Sequence, residues 1–207
     1  MENLYCRYPE LTSCKDEIEA AIKLMIKTYQ QGGKVLLCGN GGSCADCDHI
    51  VGELMKGFLL GRKIDSSFES SLIDLYGENG REMARKLQGG LPAISLPAQS
   101  ALLSAFANDV DSDMVYAQLV YGYADSKDLL ICLSTSGNSK NVVNAAKIAK
   151  AKKVAVCSLT GKKESELSCL SNITIRVPRS ETYQVQELHL PVYHYICAVV
   201  EVFFYET

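Results

Sequence analysis

The chain has 207 residues, 47% hydrophobic and 22% charged, with a formal net charge of −3. That balance excludes a disordered chain and suits one sizeable domain, and its mild acidity excludes a molecule-wide basic surface for nucleic acid. An anionic small molecule is still an acceptable partner, because a local loop can hold one whatever the net charge.

No apolar run reaches the ~20 residues needed to span a bilayer, so no membrane partner is expected. The first residues, Met1 to Arg7, lack the charged start and apolar stretch of a secretory leader. Nine cysteines are an odd number, scattered, with Cys38, Cys132 and Cys157 inside strand-like runs. They read as reduced thiols of a cytoplasmic protein rather than a disulfide framework.

In chain order, apolar Ile18, Ala21, Ile22, Met25 and Ile26 recur at helical spacing and predict a helix from about Cys14 to Gln30, ended by Gly32-Gly33. Lys34 to Cys38 reads as a strand, followed by a Gly-rich turn and a helix from near Ser43. The stretch from about Gly61 to Gly90 is polar and irregular and reads as a helical insertion. Further strands are expected at Ala93–Leu96, Asp128–Leu133, Val154–Ser158 and Asn172–Val177, with a helix from Lys140 to Ala151. Strands that are apolar throughout are buried on both faces. The reading is therefore α/β: a doubly wound, five-stranded parallel sheet flanked by helices, in a single domain over 1–207. Thr182 to Tyr205 reads as a long apolar helix in which Pro191 predicts a kink or restart. Its apolar residues run nearly all round, which suits packing against other subunits.

Two strand–turn–helix junctions carry the chemistry. Gly39-Asn40-Gly41-Gly42-Ser43 follows one strand and Ser134-Thr135-Ser136-Gly137-Asn138-Ser139 another. In an open parallel sheet, ligands bind beyond the C-terminal strand ends, where helix N-termini present free N–H groups to an anion. Capping alone would explain one serine; four hydroxyls in six residues favour phosphate. For the Gly-rich turn, a tight loop with a capped helix is an equal alternative. Neither turn is a P-loop or a dinucleotide fingerprint, which disfavours a nucleotide cofactor.

His49 and Glu53 stand four apart on one helix face and could share a metal ion or pair as acid and base. Cys44 and Cys47 form an isolated Cys-x-x-Cys, best read as small buried thiols. On spacing alone His189 and His194, flanked by apolar residues, read as core or interface side chains.

These motifs, with Asn108-Asp109 and Gln186-Glu187-Leu188-His189 before His194, resemble the sugar isomerase (SIS) domain family and its heptose isomerase branch, over nearly the whole chain and in the family's order. The resemblance implies a flavodoxin-like sheet and aldose–ketose isomerisation of a sugar phosphate, sedoheptulose 7-phosphate to D-glycero-D-manno-heptose 7-phosphate. It places phosphate on Ser134, Thr135, Ser136 and Ser139. Asn40, Gly41, Gly42, Ser43, Glu53, Asn108, Asp109 and Gln186 then surround the sugar. Glu53 becomes the base and His194 the acid, and His49, Glu53, Gln186 and His194 a set able to hold zinc. On a straight helix Gln186 and His194 lie ~12 Å apart, so either Pro191 bends the helix or the site combines residues of neighbouring subunits, and the homotetramer with sites near subunit interfaces that the resemblance implies favours the second. Two features depart from the family: the 61–90 insertion, and Tyr183 at a position that is acidic in some members. The alternatives are a phosphosugar-binding regulator, a protein that binds a replication initiator, or an isomerase of another phosphosugar.

Overall fold

A computed structural model describes residues 4–206. Five short strands form one parallel sheet: β1 Val35–Gly39, β2 Ala93–Ser95, β3 Leu129–Leu133, β4 Ala155–Thr160 and β5 Ile173–Arg176, in the order β2-β1-β3-β4-β5. All five expected strands are present, each within two residues of its expected ends. Side chains alternate across the sheet, so both faces need cover. Val35 and Leu37 of β1, with Leu129, Ile131 and Leu133 of β3, pack into one apolar cluster. Leu36, Cys38, Leu130 and Cys132 pack into another on the opposite face.

The first cluster is closed by three long helices: α2 Lys15–Gln30, α3 Gly42–Met55 and α9 Thr182–Tyr205. A short α1, Leu4–Arg7, and a 3-10 turn precede α2. The second cluster is closed by α6 Val115–Tyr123, α7 Lys140–Ala151 and Leu167 of α8 Glu166–Leu170. Between β2 and α6 lie α5 Ser100–Phe106, a wide π-type turn over Ala107–Asp111 and a 3-10 turn over Ser112–Met114.

α9 corrects the expected restart. It neither ends nor restarts at Pro191, which lies inside a continuous 24-residue helix. Val192, Ile196 and Val200 are fully or almost fully buried by the chain's own α2 and α3 neighbourhood, which uses much of the apolar surface that the sequence assigns to other subunits. By length and composition α9 could cross a membrane, but half of its most apolar window is buried inside the fold.

Residues 66–86 form α4, Ser66–Lys86, capped by the Asp65 carboxylate, which accepts from Ser67 and Phe68 N–H. α4 bends sharply at Gly77, whose φ of 59° and ψ of −131° suit glycine. The bend brings Gly80 so close to the Leu72 carbonyl that a Cβ there would sit 1.9 Å away.

Candidate functional site

Chain order and strand order disagree at one place. The chain leaves β1 to form β2 on one side and then returns to form β3 on the other, so the switch point lies between β1 and β3. Gly39 ends β1 directly opposite Leu133, which ends β3. Both turns singled out in the sequence therefore emerge side by side at the crevice where open α/β sheets bind ligands.

Side chains fasten the two turns to each other. Asn40 and Asn141 form a reciprocal pair: Asn40 Nδ2 donates to Asn141 Oδ1 at 2.9 Å, and Asn141 Nδ2 donates to Asn40 Oδ1 at 3.0 Å. The Tyr116 hydroxyl donates to the Gly39 carbonyl at 2.7 Å. Sequence reasoning missed Asn141 and Tyr116, because neither belongs to a local pattern.

Side-chain capping by Ser139 does not explain the Ser-rich turn. The residues at the helix starts, Gly41 for α3 and Ser139 for α7, make no side-chain cap bond. The Ser139 hydroxyl instead lies 3.2 Å from that of Ser134, whose oxygen also accepts from Gly137 N–H. Helices of 14 and 12 residues thus begin at one crevice; Cys44 N–H donates to the Gly41 carbonyl and Val142 N–H to Asn141 Oδ1, which leaves the N–H groups ahead of them for an anion. Gly137 is required twice over: its φ is 66°, and a Cβ there would meet Ser165 Oγ at 2.1 Å. Thr135 is partly buried and Ser136 exposed, so the turn opens to solvent.

Gln186 joins this end of the molecule. Its amide lies against Gly42, where a Cβ would come 2.6 Å from Gln186 Nε2. Ser43 beside it is buried. Asn108 and Asp109 lie on the π-type turn, exposed, with Asn108 Nδ2 donating to Asp109 Oδ1 at 2.8 Å.

The second centre is at the other end of α3. His49 Nε2 lies 3.1 Å from Glu53 Oε1 and 3.2 Å from His194 Nε2, and one ligand atom from each residue falls within 4.8 Å of the others. The i, i+4 pair is therefore met by a third residue 145 positions away, because α9 lies along α3. Phe58 packs on His194 with ring centroids 5.5 Å apart. Burial, and then His49, push the His194 pKa below its ordinary 6.5. Glu53 Oε2 is buried and has no hydrogen-bond partner, its Lys56 cation standing 3.7 Å away.

These features test the fit of a divalent cation. In a tetrahedral zinc site with ligands ~2.0–2.1 Å from the ion, neighbouring donor atoms are about 3.3 Å apart. The separations of 3.1 and 3.2 Å from His49 Nε2 match that spacing, the third pair lies within 4.8 Å, and the orphaned Glu53 oxygen supplies further donor capacity. The residues fit. Gln186 does not belong to this set within one chain. It sits at Gly42, and His49 lies seven residues further along α3, about 10 Å at 1.5 Å per residue. An unbroken α9 keeps Gln186 and His194 two turns apart in the same way.

Behind the cluster is a buried ion pair that the sequence reading passed over. Glu201 and Arg62 have fully buried side chains, with Arg62 Nε 2.7 Å from Glu201 Oε1. The carboxylate also accepts from the backbone N–H groups of Phe58, Leu59 and Leu60. Arg62 in turn donates to the Leu54 and Glu53 carbonyls that end α3. Burial opposes ionisation of Glu201, but the backbone donors and Arg62 outweigh it and hold its pKa low. One signal pointed here: a lone glutamate within Val199-Val200-Glu201-Val202-Phe203 needs a buried partner. Cys44 and Cys47 are unlike reactive thiolates, since burial raises both pKa values.

A parallel sheet with two uncapped, hydroxyl- and glycine-rich turns at its switch point is the architecture of the SIS domain, and two SIS domain models match residues 98–204 and 10–71. Phosphoheptose isomerase of Aliarcobacter butzleri is 33% identical over 92% of this chain and 87% of its own length. That of Helicobacter pylori strain P12 is 34% identical over 92% and 86%. The chain belongs to the SIS domain family and, within it, to the branch of the phosphoheptose isomerases. The solved phosphoheptose isomerase of Francisella tularensis superposes with a TM-score of 0.76 at 26% identity, covering 94% of this chain and 90% of that one. The Neisseria gonorrhoeae structure gives 0.70 at 27%, covering 97% of each.

Proposed function

We propose that the protein isomerises sedoheptulose 7-phosphate to D-glycero-D-manno-heptose 7-phosphate, the activity class that its relatives' names carry. The observation that carries this reading is the His49–Glu53–His194 cluster in a chain that also aims two uncapped helix starts at one crevice. The Ser134–Ser139 turn and the α7 N-terminus bind the phosphate through N–H and O–H donors. Asn40, Gly41, Gly42, Ser43, Asn108, Asp109 and Gln186 border the sugar.

Aldose–ketose exchange needs a base that moves a proton between adjacent carbons and an acid that serves the two oxygens. Glu53, half-enclosed and with a free carboxylate oxygen, is the base that takes the C1 proton and returns it to C2. His194 is neutral near pH 7, because burial lowers its pKa, and its ring donates to and accepts from the substrate oxygens as the enediol forms and collapses. His49, Glu53 and His194 would hold zinc, which polarises a carbonyl and acidifies a neighbouring hydroxyl when bound. Gln186 enters that set only from a neighbouring subunit, which supports a homotetramer with interfacial sites. Nine free thiols support a reducing, cytoplasmic setting.

The test is a coupled assay with sedoheptulose 7-phosphate on wild type, Glu53→Gln and His194→Ala, each with and without chelator. Each substitution is expected to lower kcat at least 100-fold. Retained turnover in Glu53→Gln would remove Glu53 as the base, and loss on chelation would make the metal essential. Tight phosphosugar binding without turnover by wild type would favour another phosphosugar or a regulatory role.

A further inference from the structure

A free imidazole can carry its hydrogen on either nitrogen, but only the nitrogen left bare can bind a cation. Around His49 two contacts compete for that choice: Glu53 Oε1, 3.1 Å from Nε2, favours a hydrogen on Nε2 until a cation engages it, and a pair of side chains outside the cluster favours Nδ1. The Tyr193 hydroxyl lies 3.1 Å from Asp46 Oδ1 and 3.1 Å from His49 Nδ1. Asp46 precedes His49 by about one turn of α3, and Tyr193 is the α9 neighbour of His194.

The phenol has one proton, and an ionised carboxylate can only accept. The Tyr193 proton therefore goes to Asp46, and the phenolic oxygen is left to accept from His49. It can do so only if Nδ1 carries the hydrogen. A neutral imidazole in that form has a bare lone pair on Nε2, the atom that faces Glu53 Oε1 and His194 Nε2. The ring of Tyr193 also meets His49 edge-on, with centroids 5.5 Å apart.

We propose that Tyr193 and Asp46 are positioning residues that hold His49 in its Nδ1–H form and aim Nε2 at the cation bound by His49, Glu53 and His194. The inference rests on reading that cluster as a divalent-cation site. A hydrogen bond to the non-ligating nitrogen of a metal-binding histidine fixes its orientation, and losing one weakens metal binding about 10- to 100-fold.

The experiment uses the full chain, stripped of metal, as wild type, Tyr193→Phe and Asp46→Asn. Zinc and cobalt(II) affinities are measured by competition with a chromophoric chelator, together with the visible spectrum of the cobalt form. Nitrogen chemical shifts of His49 at pH 8 read the tautomer without metal. Wild type is expected to show the Nδ1–H form. Tyr193→Phe should lose that preference, bind zinc about 10- to 100-fold more weakly and shift the cobalt spectrum. Asp46→Asn should lose less, since its amide oxygen still accepts the phenol proton. Unchanged affinity and tautomer in Tyr193→Phe, or an Nε2–H His49 in wild type, overturns the relay. Wild type that binds neither ion overturns the cation reading instead, and the tautomer measurement still decides the relay separately.

Discussion

At the scale of single residues, His189 separates stability from chemistry in a helix that carries both. It is fully buried, its Nε2 lies 3.4 Å from the Thr160 carbonyl, and its Nδ1 has no partner. Burial lowers its pKa to about 4 from 6.5. The unfolded chain therefore takes up a proton near pH 6.5 that the folded chain refuses until about pH 4. Stability that is complete above pH 6.5 is lost progressively as pH falls through that window and levels off below it. A shift of this size corresponds to about 3 kcal/mol. In His189→Gln, which has nothing to titrate, this loss should vanish. The stability difference between wild type and variant, from urea unfolding at pH 7 and pH 4, should change by about that amount in favour of the variant at low pH. An equal difference at both pH values would mean that His189 is not held neutral. Legibility in the sequence divides at this scale too. His49 and Glu53 show as a pair because four residues make one helical turn, and the Ser- and Gly-rich turns show because their chemistry is local. His194 joins them only where α9 meets α3, and no spacing rule reports that. Asp46, Tyr193, Asn141 and Tyr116 were invisible for the same reason.

At the scale of elements, the strands were readable because a parallel strand covered on both faces is apolar at every position. Their ends were less so: Lys34 and Asp128 sit just outside β1 and β3, bound to each other at 2.6 Å. The polar stretch at 61–90 showed that something helical interrupts the alternation, but not how it is attached. The structure supplies the attachment: Gly89 N–H donates to the Arg62 carbonyl at 3.2 Å, so the segment leaves and returns at one point. Arg62 itself is locked to Glu201 beneath that point. α4 leaves Phe68, Leu75, Tyr76 and Met83 exposed, an apolar face suited to a lid or to a second subunit. Joining Lys63 to Leu87 through a short Gly-Ser link should leave the fold intact, with the melting temperature within about 4 °C of wild type. The same deletion should lower turnover or change the assembly measured by light scattering. Full activity in an unchanged oligomer would show that α4 is neither lid nor contact.

At the scale of the whole molecule, one chain keeps two groups of candidate residues apart. The Ser- and Gly-rich turns and Gln186 stand at the N-terminal end of α3, and His49, Glu53 and His194 stand about 10 Å along it. α9 runs as one helix through Pro191, and eight residues separate Gln186 from His194 along it. Another copy of the chain can bring the two groups together, if symmetry presents the Gln186 end of one subunit to the histidine end of another. A groove between Phe58, Leu59, Leu190 and Tyr195 borders His194 and offers apolar surface for such a neighbour. This arrangement has a consequence that no single-chain site shares. Gln186→Ala and His194→Ala should each be inactive alone. When the two proteins are unfolded together and refolded as a mixture, hybrid assemblies contain some sites in which both residues are native. Random pairing of subunits at equal amounts should restore about a quarter of wild-type turnover, since a site needs an intact Gln186 from one subunit and an intact His194 from another. If both residues served the same site from one chain, every site in the mixture would carry one of the two defects, and activity would stay at the level of the separate variants. Recovered turnover would therefore locate the reaction between subunits, and its absence would return Gln186 to a role at the Ser- and Gly-rich turns of its own chain.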